Sequence, residues 1–87
     1  MTTLRLADEL EWRVVEEEIV ALDVRRGVYF ALNRTGALVW KSLAEGTTED
    51  AMVEMLMAEF AVDSATAAGD LAAFLGGLRA HDLLVET

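Results

Sequence analysis

Val28-Tyr29-Phe30-Ala31-Leu32-Asn33-Arg34-Thr35-Gly36-Ala37-Leu38-Val39-Trp40 is the stretch in which this chain changes its hydrophobic period. Up to Leu32 the apolar side chains of Val28, Phe30 and Leu32 recur at every second residue, the spacing of a strand with one buried face. Beyond it Gly36, Val39, Trp40 and Leu43 follow helical spacing. Asn33, at the junction, is a residue type that caps helix N-termini. A strand must therefore end, and a helix begin, within a few residues of Leu32.

Toward the N-terminus the strand character continues. Val20, Leu22 and Val24 alternate with Ala21 and Asp23, and Trp12, Val14 and Val15 are aromatic or β-branched. Arg25-Arg26-Gly27 reads as a short hairpin loop, with Gly27 free to take a positive φ. Glu16-Glu17-Glu18 separates the first strand from the second. The expectation is an antiparallel meander with strands near 11–15, 18–24 and 28–32.

Toward the C-terminus the pattern is helical. A helix over about 35–45 stops at Gly46, and Thr47 with Asp50 offers the cap of a second helix over about 48–60. Met52, Leu56 and Phe60 share one stripe of it. Asp63-Ser64 caps a third helix over about 65–80, with Ala67, Leu71, Phe74, Leu75 and Leu78 inward. Leu83-Leu84-Val85 is a short apolar tail expected to pack back on the core. The predicted order is β-β-β-α-α-α. This is an α+β fold of winged helix-turn-helix type, with a three-stranded antiparallel sheet and three helices sharing one core. Three strands alone would leave an apolar face wet, so residues 1–87 are read as one domain.

Composition then removes whole classes of function. The 87 residues carry sixteen Asp and Glu against seven Lys and Arg, a net charge of −9, where a phosphate-binding surface calls for the opposite sign. There is no cysteine, hence no disulfide, thiol nucleophile or thiolate metal site. A single histidine, His81, is too few for a usual catalytic zinc site. With 54% hydrophobic residues the chain is no acidic disordered tail. Charges at Arg5, Asp8, Glu9 and Glu11 leave no signal-peptide segment, and no apolar run spans a bilayer, so a cytoplasmic protein without membrane contact is expected.

The remaining chemical candidates are thin. Glu16-Glu17-Glu18 falls in a turn without a partner base, and a solvated turn accounts for it. His81 sits at a helix end, where a cation is favoured. Ser42 and Ser64 lie in no nucleophile motif, and Gly76-Gly77 lacks the companions of a phosphate loop. No catalytic residue, metal or cofactor is predicted. Asp63-Ser64 superficially resembles the carrier site of an acyl carrier protein, but Ala65 stands where leucine is usual and the strand-rich first third contradicts a helical bundle. A winged-helix DNA-binding regulator fits the architecture. Its recognition helix would carry Arg79 beside Asp70 and Asp82, which repel phosphate.

The segment Val28-Tyr29-Phe30-Ala31-Leu32-Asn33, with Gly36 and then Val39-Trp40, resembles the PqqD-like family of leader-peptide recognition domains (RiPP recognition elements). Asp70-Leu71, Phe74-Leu75, Leu78 and Leu83-Leu84 resemble that family's last helix and tail. The resemblance implies a non-catalytic, chaperone-like protein. It would bind the leader of a precursor peptide and present it to a maturation enzyme, either a lasso-peptide leader peptidase and cyclase or the radical enzyme of a PQQ-type pathway. It further implies that the leader joins the sheet as a fourth strand beside Val28, Tyr29, Phe30, Ala31 and Leu32. Asp70, Leu71, Phe74, Leu75 and Leu78 would supply the opposite wall. The uncharged third strand agrees, because an exposed edge without blocking charges invites strand addition. Phe30, Leu71 and Leu75 are open to a second reading as plain core, and Tyr29, opposite in parity to Phe30, to one as cover for the outer face. Asp70 is either a holder for a basic leader residue or a solvated helix charge.

Overall fold

The computed structural model describes Thr2–Thr87. Its element order is β1 (Leu4–Leu6), β2 (Leu10–Val15), β3 (Glu18–Asp23), β4 (Val28–Leu32), α1 (Arg34–Glu45), α2 (Glu49–Phe60), α3 (Ser64–Ala80) and β5 (Leu84–Glu86). The meander β2-β3-β4 is antiparallel, with Ala21 opposite both Trp12 and Phe30. Alternation sends Ile19 and Ala21 of the central strand into the core, where α1 covers them with Ala37, Val39, Trp40 and Leu43.

Two short strands absent from the predicted order form a second sheet. Leu4–Leu6 pairs antiparallel with Leu84–Glu86, and paired backbone bonds of 2.9 Å between Thr3 and Thr87 tie the two ends of the described chain together. The apolar tail thus packs back through buried Leu83 and then continues as a strand. Three-residue strands complete barely one alternation, so no period announces them.

The caps define where each helix begins. Asn33 Oδ1 accepts the Gly36 N–H at 3.0 Å, and Asp63 Oδ1 accepts the Thr66 N–H at 2.8 Å. The cap of α2 is Thr48, not Thr47: Thr48 Oγ1 accepts the Ala51 N–H, while Thr47 is held in a backbone bridge with Leu4. That bridge fixes Thr47 in extended geometry and moves the helix start one residue on. Gly46, at φ 85°, stops α1 in a backbone conformation that favours glycine. Trp40 is fully buried with its indole N–H unpaired, a cost of about 1–3 kcal/mol that the ring's large buried apolar area must exceed.

Candidate functional site

The sheet has two open edges, and backbone parity says which groups each one offers. The Val24 N–H donates to the Glu9 carbonyl at 3.1 Å, so Leu22 and Val20, two and four residues back, also aim their main-chain groups at β2. Ile19, Ala21 and Asp23 then bond to Leu32, Phe30 and Val28 of β4. The Gly27 N–H bonded to the Asp23 carbonyl at 2.8 Å agrees with that direction. Within β4, Tyr29 and Ala31 are left with N–H and C=O pointing away from the sheet. They form an unpaired edge.

Side chains follow the same alternation on the two faces. Phe30 and Leu32 lie on the helix side and are half-buried, whereas Tyr29 and Ala31 lie on the outer face, with Tyr29 71% exposed. The helix facing this edge is α3. Phe74 packs against the start of α1, its Cε1 only 2.9 Å from where a Cβ at Gly36 would sit, with the Leu32 Cβ 3.6 Å from the same point. The His81 ring meets Phe30 edge-on at 5.4 Å between centroids. Gly77 lies between these contacts on the stripe Asp70, Phe74, Gly77, His81, which recurs at helical spacing. A Cβ at Gly77 would meet no atom within 4 Å. The stripe thus forms a wall with a gap in it, and Phe30 and Leu32 form an apolar floor beside Phe74.

One end of this groove is tied shut. Arg26, in the β3–β4 hairpin, donates to the His81 carbonyl at 2.7 Å, to Asp82 Oδ2 at 3.0 Å and to Asp23 Oδ2 at 3.3 Å. Asp23 is buried and its other oxygen accepts the Arg25 and Arg26 N–H groups, which sets the hairpin's shape. The guanidinium therefore couples the loop before β4 to the end of α3. Of the arginines in the predicted loop, Arg26 holds this position, while Arg25 pairs with Glu9 across the surface.

The site residues expected from the sequence divide cleanly. Val28 to Leu32 form the edge strand, and Phe74 and Asp70 lie on the wall. Leu71, Leu75 and Leu78 are only 2%, 1% and 6% exposed, and their side chains belong to the core beneath α3. The sequence reads Arg26 as a hairpin-loop arginine, His81 as a helix-end residue and Gly77 as one of two helical glycines; the structure adds the tie from Arg26, the contact of His81 with Phe30 and the open space at Gly77. Of these additions only that at Gly77 left a signal, a glycine inside a helix, where it costs about 1 kcal/mol relative to alanine.

The chemistry this arrangement offers is recognition of extended chain. Hollows of about 360 Å3 beside Arg13, Val20, Leu22 and Tyr29, and of about 320 Å3 beside Val15, Glu18, Ala31 and Asn33, are open surface depressions. Among the described residues no group of three or more His, Asp or Glu side chains is placed to hold a metal, and no helix is long and apolar enough to cross a membrane.

Comparison with known proteins points the same way. The sequence model of coenzyme PQQ synthesis protein D (PqqD) matches residues 18–84. A solved structure of TbiB1 in complex with the TbiA(beta) leader peptide is 32% identical, superposes with a TM-score of 0.86, and is matched over 92% of this chain and 93% of that one. A lasso peptide synthetase B1 complexed with its leader peptide is 29% identical, with a TM-score of 0.82 and 94% and 96% coverage. No match was found among curated proteins.

Proposed function

The chain belongs to the PqqD family, and on that premise we propose that it binds the leader segment of a ribosomally synthesised precursor peptide along β4 and delivers it to a maturation enzyme. The observation that carries this reading is the free edge at Tyr29 and Ala31 beside a half-open apolar groove. An extended peptide placed there gains main-chain hydrogen bonds from the edge. Its alternate side chains drop between β4 and α3 onto Phe30, Leu32 and Phe74. Leu71, Leu75 and Leu78 hold α3 at the right height without touching the peptide, and Asp70 offers a carboxylate to a basic leader residue. Two structural relatives that hold leader peptides, one of them a lasso peptide synthetase B1, favour a lasso-type pathway.

Within this reading the protein is a recognition element and not a catalyst, acting in the cytoplasm where precursors are made, with residues 1–87 as one binding unit. Its contribution to maturation is effective concentration: a held leader makes the later encounter with a peptidase or cyclase nearly intramolecular. The DNA-binding alternative is not supported. Arg26 and Arg79, the cations nearest the C-terminal end of α3, are already paired with carboxylates, and the net charge is −9.

The test is a fluorescence anisotropy titration of the intact protein. The probes are a labelled synthetic leader peptide of the lasso-precursor class and a random duplex DNA as control. Saturable peptide binding with no DNA binding is expected. Submicromolar DNA binding without peptide binding would overturn the reading.

A further inference from the structure

The opposite edge of the same sheet has a different code. Among the described residues β2, Leu10–Val15, pairs only with β3, and the parity that frees Tyr29 and Ala31 on β4 frees the main-chain groups of Leu10, Trp12 and Val14 here. Every residue from Glu11 to Val15 is exposed, and the apolar side chains on the helix side, Trp12 and Val14, remain 37% and 44% exposed. Natural edges of this kind are blunted by charge or left for pairing. The two charges on this edge are Glu11 and Arg13, side by side on the outer face. Arg13 is the one arginine with no carboxylate within 4 Å among the described residues, and Glu11 likewise has no cationic partner there.

We propose that β2 is a self-pairing edge, joining two copies of this chain through an antiparallel β2–β2 ladder centred on Trp12. In that register Leu10 faces Val14 of the second copy, Trp12 faces Trp12, and all three residues with free main-chain groups meet their counterparts. On the outer face Glu11 lies opposite Arg13 of the second copy, and Arg13 opposite its Glu11. Both fall in non-hydrogen-bonded pairs, where cross-strand side chains approach most closely. Neighbouring registers are penalised. A slip of two residues one way opposes Arg13 to Arg13, and the other way Glu11 to Glu11. A slip of one residue throws the apolar set onto the wrong face. Glu9 and Glu16, at φ 63° and 61°, turn the chain at both ends of the strand and keep the flanking acids out of the ladder. The product is a six-stranded sheet whose two outermost strands are β4, each edge still free, so this association does not depend on the leader-binding reading.

Sedimentation equilibrium of the intact protein at low ionic strength tests it. The wild type is expected to show concentration-dependent dimer in the micromolar-to-millimolar range of small, transient interfaces. Arg13→Glu and Glu11→Arg each create two like-charge oppositions and should weaken dimerisation roughly tenfold or more. The double variant, Glu11→Arg with Arg13→Glu, exchanges the charges within each copy and should recover it. Far-ultraviolet circular dichroism confirms that each variant is folded. A wild type that is monomeric near 1 mM overturns the proposal. So does a dimer insensitive to the single reversals, one the double variant fails to recover, or one dispersed by leader peptide and therefore built on β4.

Discussion

The two edges of the three-stranded sheet offer the same backbone chemistry and differ in everything around it. β4 is uncharged, runs beside the wall Asp70, Phe74, Gly77, His81, and is held at one end by Arg26. β2 carries Glu11 and Arg13 and leaves Trp12 and Val14 partly in water. On the proposed readings, unpaired N–H and C=O groups alone do not set what an edge binds; the neighbouring element does, with the β4–α3 groove receiving alternate side chains of a guest strand and the charge-marked β2 selecting its partner by register.

That contrast can be broken most severely with proline. Phe30→Pro removes an N–H from the β3–β4 ladder itself and should destabilise the fold strongly, leaving little folded protein in a thermal melt. Ala31→Pro removes an outward N–H only, so the fold should survive while leader affinity falls by about two orders of magnitude in the anisotropy titration. Val14→Pro, the matching outward position on β2, should leave leader affinity unchanged. Equal losses from Ala31→Pro and Val14→Pro would erase the distinction between the edges.

Filling the wall's gap is the next largest effect. Gly77→Leu adds a side chain where nothing stands within 4 Å, so helix propensity should hold or raise the melting temperature while the leader is displaced. A tenfold or greater loss of affinity at undiminished stability is the expected signature (about 1.4 kcal/mol). Smaller still is the loss of the tie. Arg26→Ala leaves buried Asp23 with its two backbone N–H donors, so the destabilisation should be only about 1 kcal/mol by denaturant titration. The end of α3 is released all the same, and affinity should fall by more than stability does.

The smallest effect is one of pH. The Thr66 N–H and hydroxyl beside Asp63 hold its carboxyl below the ordinary carboxylate range. A depressed folded value means that the cap's contribution is present above the unfolded pKa and is lost as pH falls through the folded one. Asp63→Asn keeps an N-cap acceptor without titrating. Acid titrations followed by circular dichroism should therefore show a slightly shallower loss of α3 in the variant, with the β2 edge unaffected.

Much of this was legible in the chain because it rests on short-range periodicity. The change of period at Leu32 located both β4 and α1, and alternation alone placed Tyr29 opposite in face to Phe30. The helical spacing of Leu71, Leu75 and Leu78 correctly marked them as inward, yet inward on α3 means toward the core and not into the groove. Telling those two directions apart requires knowing where β4 lies relative to the helix. The tie from Arg26 to His81 and Asp82 spans 55 and 56 residues of sequence and leaves no local pattern. In the proposed groove Gly77 would act by lacking a side chain, a role that hydrophobic patterning has no means of registering. The self-complementary charges of β2 were in plain view as Glu11 and Arg13. Their meaning appeared only when the ladder showed which main-chain groups of that strand are free.

Amide hydrogen exchange, read residue by residue by NMR with and without leader peptide, tests the central claim most directly. Strand addition at β4 predicts that the Tyr29 and Ala31 amides, exposed in the free protein, gain strong protection on binding, while Phe30, already bonded to β3, changes little. Protection appearing instead at Leu10, Trp12 and Val14, or nowhere on β4, would contradict it.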